Sequence, residues 1–166
     1  MVVNNAGIAS AGPFAHMDLS VWNEVMAVNV LSPVALTRAA GKVLLAQGSG
    51  KVINMASLSG LRGKPILAAY SASKGALVRF TEAVACEWAP MGVQVNAIAP
   101  GAFATEAQRA VLDDEVVLAR RVRKIPSGRI GAPEEIAPLA CYLASPLSDY
   151  VSGVTYVIDG GELAKL

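Results

Sequence analysis

Aromatic residues make up only 5% of this 166-residue chain and charged residues 16%, while 54% is apolar. The core must therefore be built from Ala, Val, Leu and Ile, which suits close packing between helices and parallel strands. Charge of either sign is scarce: 14 basic residues face 13 acidic ones, for a net charge of +1. No basic field is available to hold a phosphate backbone, so nucleic acid is not an expected partner. Cysteine is nearly absent. Cys86 and Cys141 lie far apart without CxxC or Cys/His spacing, which argues against a disulfide framework or zinc centre, and no metal is expected. Both fall in stretches that read as helix, where small buried hydrophobes are expected. The one histidine, His16, has no evident partner and reads as an exposed loop position. No cationic region precedes an apolar run at the start, so a secretory signal is not expected. The longest uncharged run, 88–105, contains Pro90, Gly92, Asn96, Pro100 and Gly101. Such groups are costly in lipid, so no membrane span is expected either. The expectation is a soluble, cytoplasmic protein of one domain, 1–166.

The chain opens on Met1-Val2-Val3-Asn4-Asn5, the tail of a strand entering a turn at Gly7. Asp18 or Ser20 can cap a long helix from about 21 to 47, ended by Gly48-Ser49-Gly50. Between Val25 and Gln47 its only charges are Arg38 and Lys42. A helix without a broad polar face must be covered on more than one side. A strand follows over 51–57, then a loop over 59–65 and a second long helix over 67–88, closed by Pro90 and Gly92. A strand over 93–98 breaks at Pro100-Gly101. Charged residues from Glu106 to Lys124 suggest an exposed, partly helical segment. Ala132-Pro133-Glu134-Glu135 starts another helix, with acids at the positive end of its dipole, and a strand over 153–158 runs into Asp159-Gly160-Gly161. Trp22 and Trp88 read as packing anchors at helix ends. Alternating strands and helices of this length predict an α/β fold with a doubly wound parallel sheet.

In such sheets ligands bind beyond the carboxyl ends of the strands. Ser57 falls at one such end, and Tyr70 and Lys74, four apart, share a face near the start of the next helix. A tyrosine ordinarily loses its proton at about pH 10, and a neighbouring ammonium favours the phenolate. A serine hydroxyl beside it can stabilise developing alkoxide charge. The three could form a proton-transfer site, with no nucleophile among them. Tyr and Lys at this spacing also occur by chance on ordinary helices, so spacing alone leaves a structural reading open.

The set Asn4-Asn5-Ala6-Gly7, Asn29, Ser57, Tyr70-Ser-Ala-Ser-Lys74, Asn96-Ala-Ile-Ala-Pro100-Gly101 and Asp159-Gly160-Gly161, with thirteen residues from Ser57 to Tyr70, resembles the short-chain dehydrogenase/reductase family. The resemblance covers almost the whole chain. It implies a Rossmann-like sheet and an NAD- or NADP-dependent oxidoreductase interconverting a secondary alcohol and a ketone. It also implies Tyr70 as acid/base, Lys74 as the group that binds the nicotinamide ribose and favours the phenolate, and Ser57 as the group polarising the carbonyl. Asn29 would support a water chain from Lys74 to solvent. Asn5, Ala6 and Gly7 would border the cofactor ribose, while Pro100, Gly101, Phe103 and Thr105 would pass along the nicotinamide.

One departure is expected to matter. The family's glycine-rich phosphate loop lies in a first βαβ unit that this chain lacks, and Gly48-Ser-Gly50 sits in the wrong context to replace it. The resemblance thus implies an N-terminally truncated sheet whose first βαβαβ half is missing, through truncation, a misplaced start or a natural short form. It leaves the choice between NAD and NADP unread. The first strand would be an exposed apolar edge, and a homo-oligomer, dimer or tetramer, is expected through the helices at about 21–47 and 67–88. The tail from Ile125 to Ala164, with Glu87-Trp88-Ala89 and Phe103-Ala104-Thr105, is similar to the gluconate 5-dehydrogenase and 2-dehydro-3-deoxygluconate 5-dehydrogenase group. That implies a small hydroxy/keto substrate, a sugar acid or polyol, with a 3-oxoacyl substrate as the alternative. A catalytically silent subunit acting through oligomerisation is the alternative of another kind. Within the segment from Glu106 to Lys124, Arg109, Arg120, Arg121 and Arg123 could meet a carboxylate or form a solvated face.

Overall fold

Runs of β-branched and small apolar residues, separated by helices with apolar stripes, assemble into one parallel sheet in the computed structural model. It describes residues 1–165, so the last residue of the expected 1–166 domain lies outside the described residues. The sheet holds β1 (Val2–Asn4), β2 (Gly50–Met55), β3 (Val93–Pro100) and β4 (Thr155–Ile158) in the order β1-β2-β3-β4. All pairings are parallel, with Val2 opposite Val52, Val52 opposite Val95 and Ala97 opposite Thr155.

Helices cover both faces, as a doubly wound sheet requires. On one face, α2 (Ser32–Gln47) and α4 (Ala68–Trp88) bury Leu44, Ala85 and Trp88 against Val52, Val93 and Val95. Val78 of α4 packs on Ala56, Ala97 and Ala99 nearer the carboxyl end of the strands. On the other face Leu143 of α7 (Ala137–Ala144) closes over Ile53 and Ile98. Because both faces are covered, the middle strands are buried without alternation: Lys51–Asn54 and Val95–Ala99 are unbroken buried runs, as in other parallel sheets. Lys51 is the one charge in those runs. Its ammonium is satisfied by Asp149 at 2.6 Å and the Ser148 hydroxyl at 3.2 Å.

Polar side chains stitch the first face. The Asn4 amide donates to the Thr37 hydroxyl (3.0 Å) and to Asn54 Oδ1 (2.7 Å). Asn54 in turn donates to Thr81, whose hydroxyl donates to the Leu77 carbonyl, each at 2.8 Å. Buried dipoles are tolerated here because each finds a partner; Asn4 Oδ1 is the exception.

The first long helix differs from its expected form. It starts at Leu19, and of the two candidate caps it is Asp18 that accepts from the Ser20 N–H at 2.8 Å. It then runs as α1 (Leu19–Met26), a π-helical segment (Ala27–Leu31) and α2. Pro33 supplies the cause. It has no N–H to donate four residues back to the Asn29 carbonyl, and the ladder widens so that Ser32 N–H bonds the Ala27 carbonyl, five back. The wider turn keeps Val25, Asn29, Pro33, Thr37, Gly41 and Leu44 on one buried stripe. Leu19–Gln47 is long and apolar enough to cross a membrane by length and composition alone. Here its stripe, including the hydrogen-bonded Asn29 and Thr37, lies against the sheet and the loop after β1. The expected cover comes from the sheet along α2 and from α4 along α1 and the π segment, while Leu31, Leu36 and Val43 on the outer side stay 57–63% exposed.

Other elements shift more modestly. Residues read as loop over 59–65 begin with a helical turn, α3 (Leu58–Leu61), capped by Ser57. The charged segment forms α5 (Arg109–Leu112) and α6 (Glu115–Val122), the latter capped by Asp114. The last strand starts at Thr155, because Gly153 adopts φ +80° and its N–H bonds Val95 outside the ladder. Both cysteines are exposed rather than buried. They sit on the outward sides of α4 and α7, where composition does not report which face a residue occupies. Trp88 is buried as expected, while Trp22 is only partly covered, edge-on to Phe14.

Candidate active site

The carboxyl ends of β1 and β2 and the first two turns of α4 converge at one rim. Ser57 leaves β2 in extended conformation (φ −170°, ψ 158°), and its Oγ accepts the Ser59 N–H at 3.1 Å. That cap turns the chain into α3, which lies directly against α4. A Cβ on Gly60 would stand 2.6–2.9 Å from the backbone of Lys74 and Gly75, so only glycine permits this approach. The contact brings Ser57 alongside the helix that carries Tyr70 and Lys74. Tyr70 is half-buried, and Lys74 Nζ lies 5.8 Å from its ring centroid.

Lys74 is 4% exposed. Burial brings its pKa down from 10.5 to about 8, because a desolvated ammonium is less favourable than a neutral amine. Its Nζ donates to the Met55 carbonyl at 2.7 Å, the one acceptor it has among the described residues. An ammonium carries three donors, so two N–H directions remain for another molecule.

Gly7, exposed in the turn after β1, sits on the same ammonium. A Cβ there would come within 3.2 Å of Lys74 Nζ and 3.3 Å of Asn29 Oδ1. Asn5 and Ala6 precede it and are exposed as well. Asn29, fully buried on the π segment, holds this turn: Oδ1 accepts the Ile8 N–H and Nδ2 donates to the Ile8 carbonyl, both at 2.8 Å, and to Ser73 Oγ at 3.0 Å. Ser73 passes the contact to the Tyr70 carbonyl at 2.8 Å. Sequence reasoning singled out Asn29 but not Ser73, although Ser73 lies between Tyr70 and Lys74. The hydrogen bonds of the Asn29 side chain go to the loop and to Ser73.

On the far side of the rim, Pro100 and Gly101 end β3. Gly101 passes so close to Asp159 that a Cβ would meet Asp159 Cβ at 2.7 Å, and its N–H bonds the Ile158 carbonyl. Phe103 is buried with its ring on Gly131, while Thr105 is exposed and unrestrained by side-chain bonds. The structure thus brings Gly7, Asn29 and Tyr70 around the Lys74 ammonium, with Asn5 and Ala6 in the same turn as Gly7 and Ser57 at the adjacent strand end. Pro100, Gly101, Phe103 and Thr105 line the next strand end.

Of the four arginines that could meet a carboxylate or form a solvated face, Arg121 is engaged in a bidentate pair with Glu162 at 2.6 and 2.8 Å. Arg109 pairs with Asp113 and Glu106 on the surface. Arg120 and Arg123 have no carboxylate partner among the described residues. No group of three or more His, Cys, Asp or Glu side chains suited to a metal ion occurs among those residues.

These features define a Rossmann-like rim with a buried lysine beside a half-buried tyrosine at the carboxyl ends of the strands. The family model described as enoyl-(acyl carrier protein) reductase matches residues 1–162. The chain belongs to the short-chain dehydrogenase/reductase family. It is 41% identical over 165 residues to 2-dehydro-3-deoxy-D-gluconate 5-dehydrogenase of Bacillus subtilis, covering 99% of this chain and 65% of that protein. It is 40% identical to the inactive 2-(S)-hydroxypropyl-CoM dehydrogenase 2 of Xanthobacter autotrophicus, over 98% of this chain and 73% of that one. Its fold superposes with a TM-score of 0.96, at 36% identity, on a gluconate 5-dehydrogenase from Burkholderia cenocepacia solved with NADP and tartrate, covering 99% of this chain and 65% of that one. The chain thus spans about 65% of the length of these sugar-acid dehydrogenases.

Proposed function

We propose that this chain is the catalytic and substrate half of an NAD(P)-dependent dehydrogenase that interconverts a secondary alcohol and a ketone on a sugar acid or polyol. The observation that carries the reading is the buried Lys74 ammonium, with one hydrogen bond, beside Tyr70 and under the open Gly7 turn. Two free N–H directions fit the paired hydroxyls of a nicotinamide ribose, and Asn5, Ala6 and Gly7 would border that sugar. Pro100, Gly101, Phe103 and Thr105 would border the nicotinamide. When bound, the nicotinamide supplies or accepts the hydride. Tyr70 delivers or removes the hydroxyl proton, and Ser57 donates a hydrogen bond to the reacting oxygen. Lys74 holds the ribose and places positive charge beside the phenol, and Asn29 acts as a positioning residue for the turn after β1.

The sugar-acid substrate is supported by the gluconate-type relatives and by the tartrate held in one of them. A single partial Rossmann-like domain, a cytoplasmic location and a homo-oligomer complete the proposal. The exposed Leu31, Leu36 and Val43 support assembly through the helices at about 21–47 and 67–88. A catalytically silent subunit is the second reading, favoured by the likeness to a relative named as inactive.

The test is calorimetric titration of the purified chain with NADH and NADPH. Micromolar binding that is lost in Lys74→Ala, followed by keto-gluconate reduction that is lost in Tyr70→Phe, supports the dehydrogenase. Binding without turnover supports the silent subunit. Binding of neither nucleotide overturns the cofactor assignment for this chain.

A further inference from the structure

Next to the catalytic rim lies a cavity of about 440 Å³ whose wall is strongly cationic, a volume within the usual range for small-molecule sites. Arg62, Lys64, Arg123, Lys124 and Lys165 line it, five of the chain's 14 basic residues, and among the described residues Glu162 supplies the one side-chain carboxylate. That carboxylate is already engaged by the bidentate Arg121 and stands 3.6 Å from Lys64. Arg62, Arg123 and Lys124 have no carboxylate partner among the described residues. Lys165 Nζ donates to the neutral Arg123 carbonyl at 2.6 Å. Elsewhere Arg79, Arg129 and Lys51 each face an acid at 2.6 Å. Positive charge is therefore concentrated in one concave place in a chain whose net charge is only +1, and a concave wall of mostly one sign draws in an ion of opposite sign.

The cavity is built from the same segments as the rim. Leu58, which follows Ser57, lines it. Lys64 is tied by its N–H to Ser71 Oγ at 3.3 Å, one residue after Tyr70. We propose that this cavity receives the carboxylate of the substrate, with Arg62, Arg123 and Lys124 as the neutralising charges. It would make the site prefer sugar acids over neutral polyols. Arg121 takes no part in that contact and serves as a positioning residue that occupies Glu162. The inference deepens the dehydrogenase reading and rests on it for the identity of the substrate.

The experiment titrates the full chain with D-gluconate and with D-glucitol, which has a neutral CH₂OH in place of the carboxylate. Amide NMR shifts of Leu58, Lys64 and Leu163 report binding. We expect gluconate to bind at least about tenfold more tightly than glucitol, and its affinity to fall as salt rises. Arg123→Gln/Lys124→Gln and, separately, Arg62→Gln should each remove most of that preference, while Arg79→Gln leaves it intact. Equal affinity for the two ligands, or a preference that survives both sets of substitutions, overturns the proposal. Adding NADH and NADPH separates the two readings. Gluconate preference without nucleotide binding removes the dehydrogenase reading and keeps the anion site, whereas nucleotide binding without gluconate preference removes the anion site alone.

Discussion

Gly60→Ala is the substitution that best tests how the rim is built. In an exposed helical turn, alanine in place of glycine stabilises by up to about 1 kcal/mol. Here the added Cβ would lie 2.6 Å from the Lys74 carbonyl carbon, 2.7 Å from its oxygen and 2.9 Å from Gly75 N, where ordinary contact begins at 3.4 Å. All three atoms are backbone in the middle of a long helix and cannot rotate aside, so α3 must lift from α4. Overpacking of this kind typically costs about 1–3 kcal/mol, which outweighs the propensity gain. A net loss of about 1–2 kcal/mol lowers the melting temperature by roughly 2–8 °C for a domain of this size. Because Ser57 starts α3, the lift also moves its hydroxyl, and a displacement of about 1 Å at a reacting group can cost on the order of 100-fold in turnover. Circular-dichroism melts of Gly60→Ala should be read beside Gly75→Ala, whose Cβ meets only the Gly60 carbonyl at 3.4 Å, and Gly63→Ala, which meets nothing within 4 Å. Gly63→Ala should melt near the parent, and Gly75→Ala, inside α4, at or slightly above it. A Gly60→Ala protein that melts at or above the parent would refute the close α3–α4 approach.

Three further outcomes follow from Lys74, Asn29 and Ile66. Since the folded pKa of Lys74, about 8, is below its ordinary 10.5, its burial penalty is complete below about pH 8. Stability should therefore rise between about pH 8 and 10.5, where the unfolded chain keeps a proton that the folded one has released; Lys74→Met should flatten that rise in denaturant titrations run across the window. Asn29→Ala strands the Ile8 N–H and carbonyl and should cost about 2–3 kcal/mol, with hydrogen exchange at Ile8 accelerating ahead of the core amides. Ile66 holds φ +60°, a conformation that costs a β-branched residue about 1–2 kcal/mol. Ile66→Gly should raise the melting temperature slightly or leave it unchanged, despite the greater freedom of glycine in the unfolded chain; a clear drop would contradict the strain.

Much of this architecture was legible because hydrophobic period and punctuation act locally. The strand–helix order, the ends at Gly48 and Pro90-Gly92, and the placing of Ser57 at a strand end beside Tyr70 and Lys74 all follow from short-range pattern. Other features depend on what a segment meets in three dimensions. The π turn at Asn29 needed Pro33 to be read as a missing donor. The residues of α3 look like a loop because Ser, Gly and Leu carry little helical preference, and the turn is held instead by the Ser57 cap and the Gly60 contact. The cysteines were expected inside because free Cys is commonly buried, yet α4 and α7 turn them outward. The pairing of Arg121 with Glu162, forty-one residues apart, had no local signature, and it divides arginines that looked equivalent in sequence.

The asparagine–threonine chain across the first sheet face has a bearing on how the strands find their places. Val2, Val3, Val52 and Ile53 are nearly interchangeable as packing units, and apolar contact alone barely distinguishes one alignment of β1 on β2 from the next. Asn4 and Asn54 do distinguish them. A shift by one residue would set Asn4 against Ile53 or Met55 and turn it to the opposite face. The Thr37 and Asn54 groups that now meet it would be left facing hydrocarbon, at about 1–3 kcal/mol for each unpaired dipole. The polar pair thus works as a key cut for one lock: it adds little to the depth of the native minimum, and much to the height of its nearest competitors.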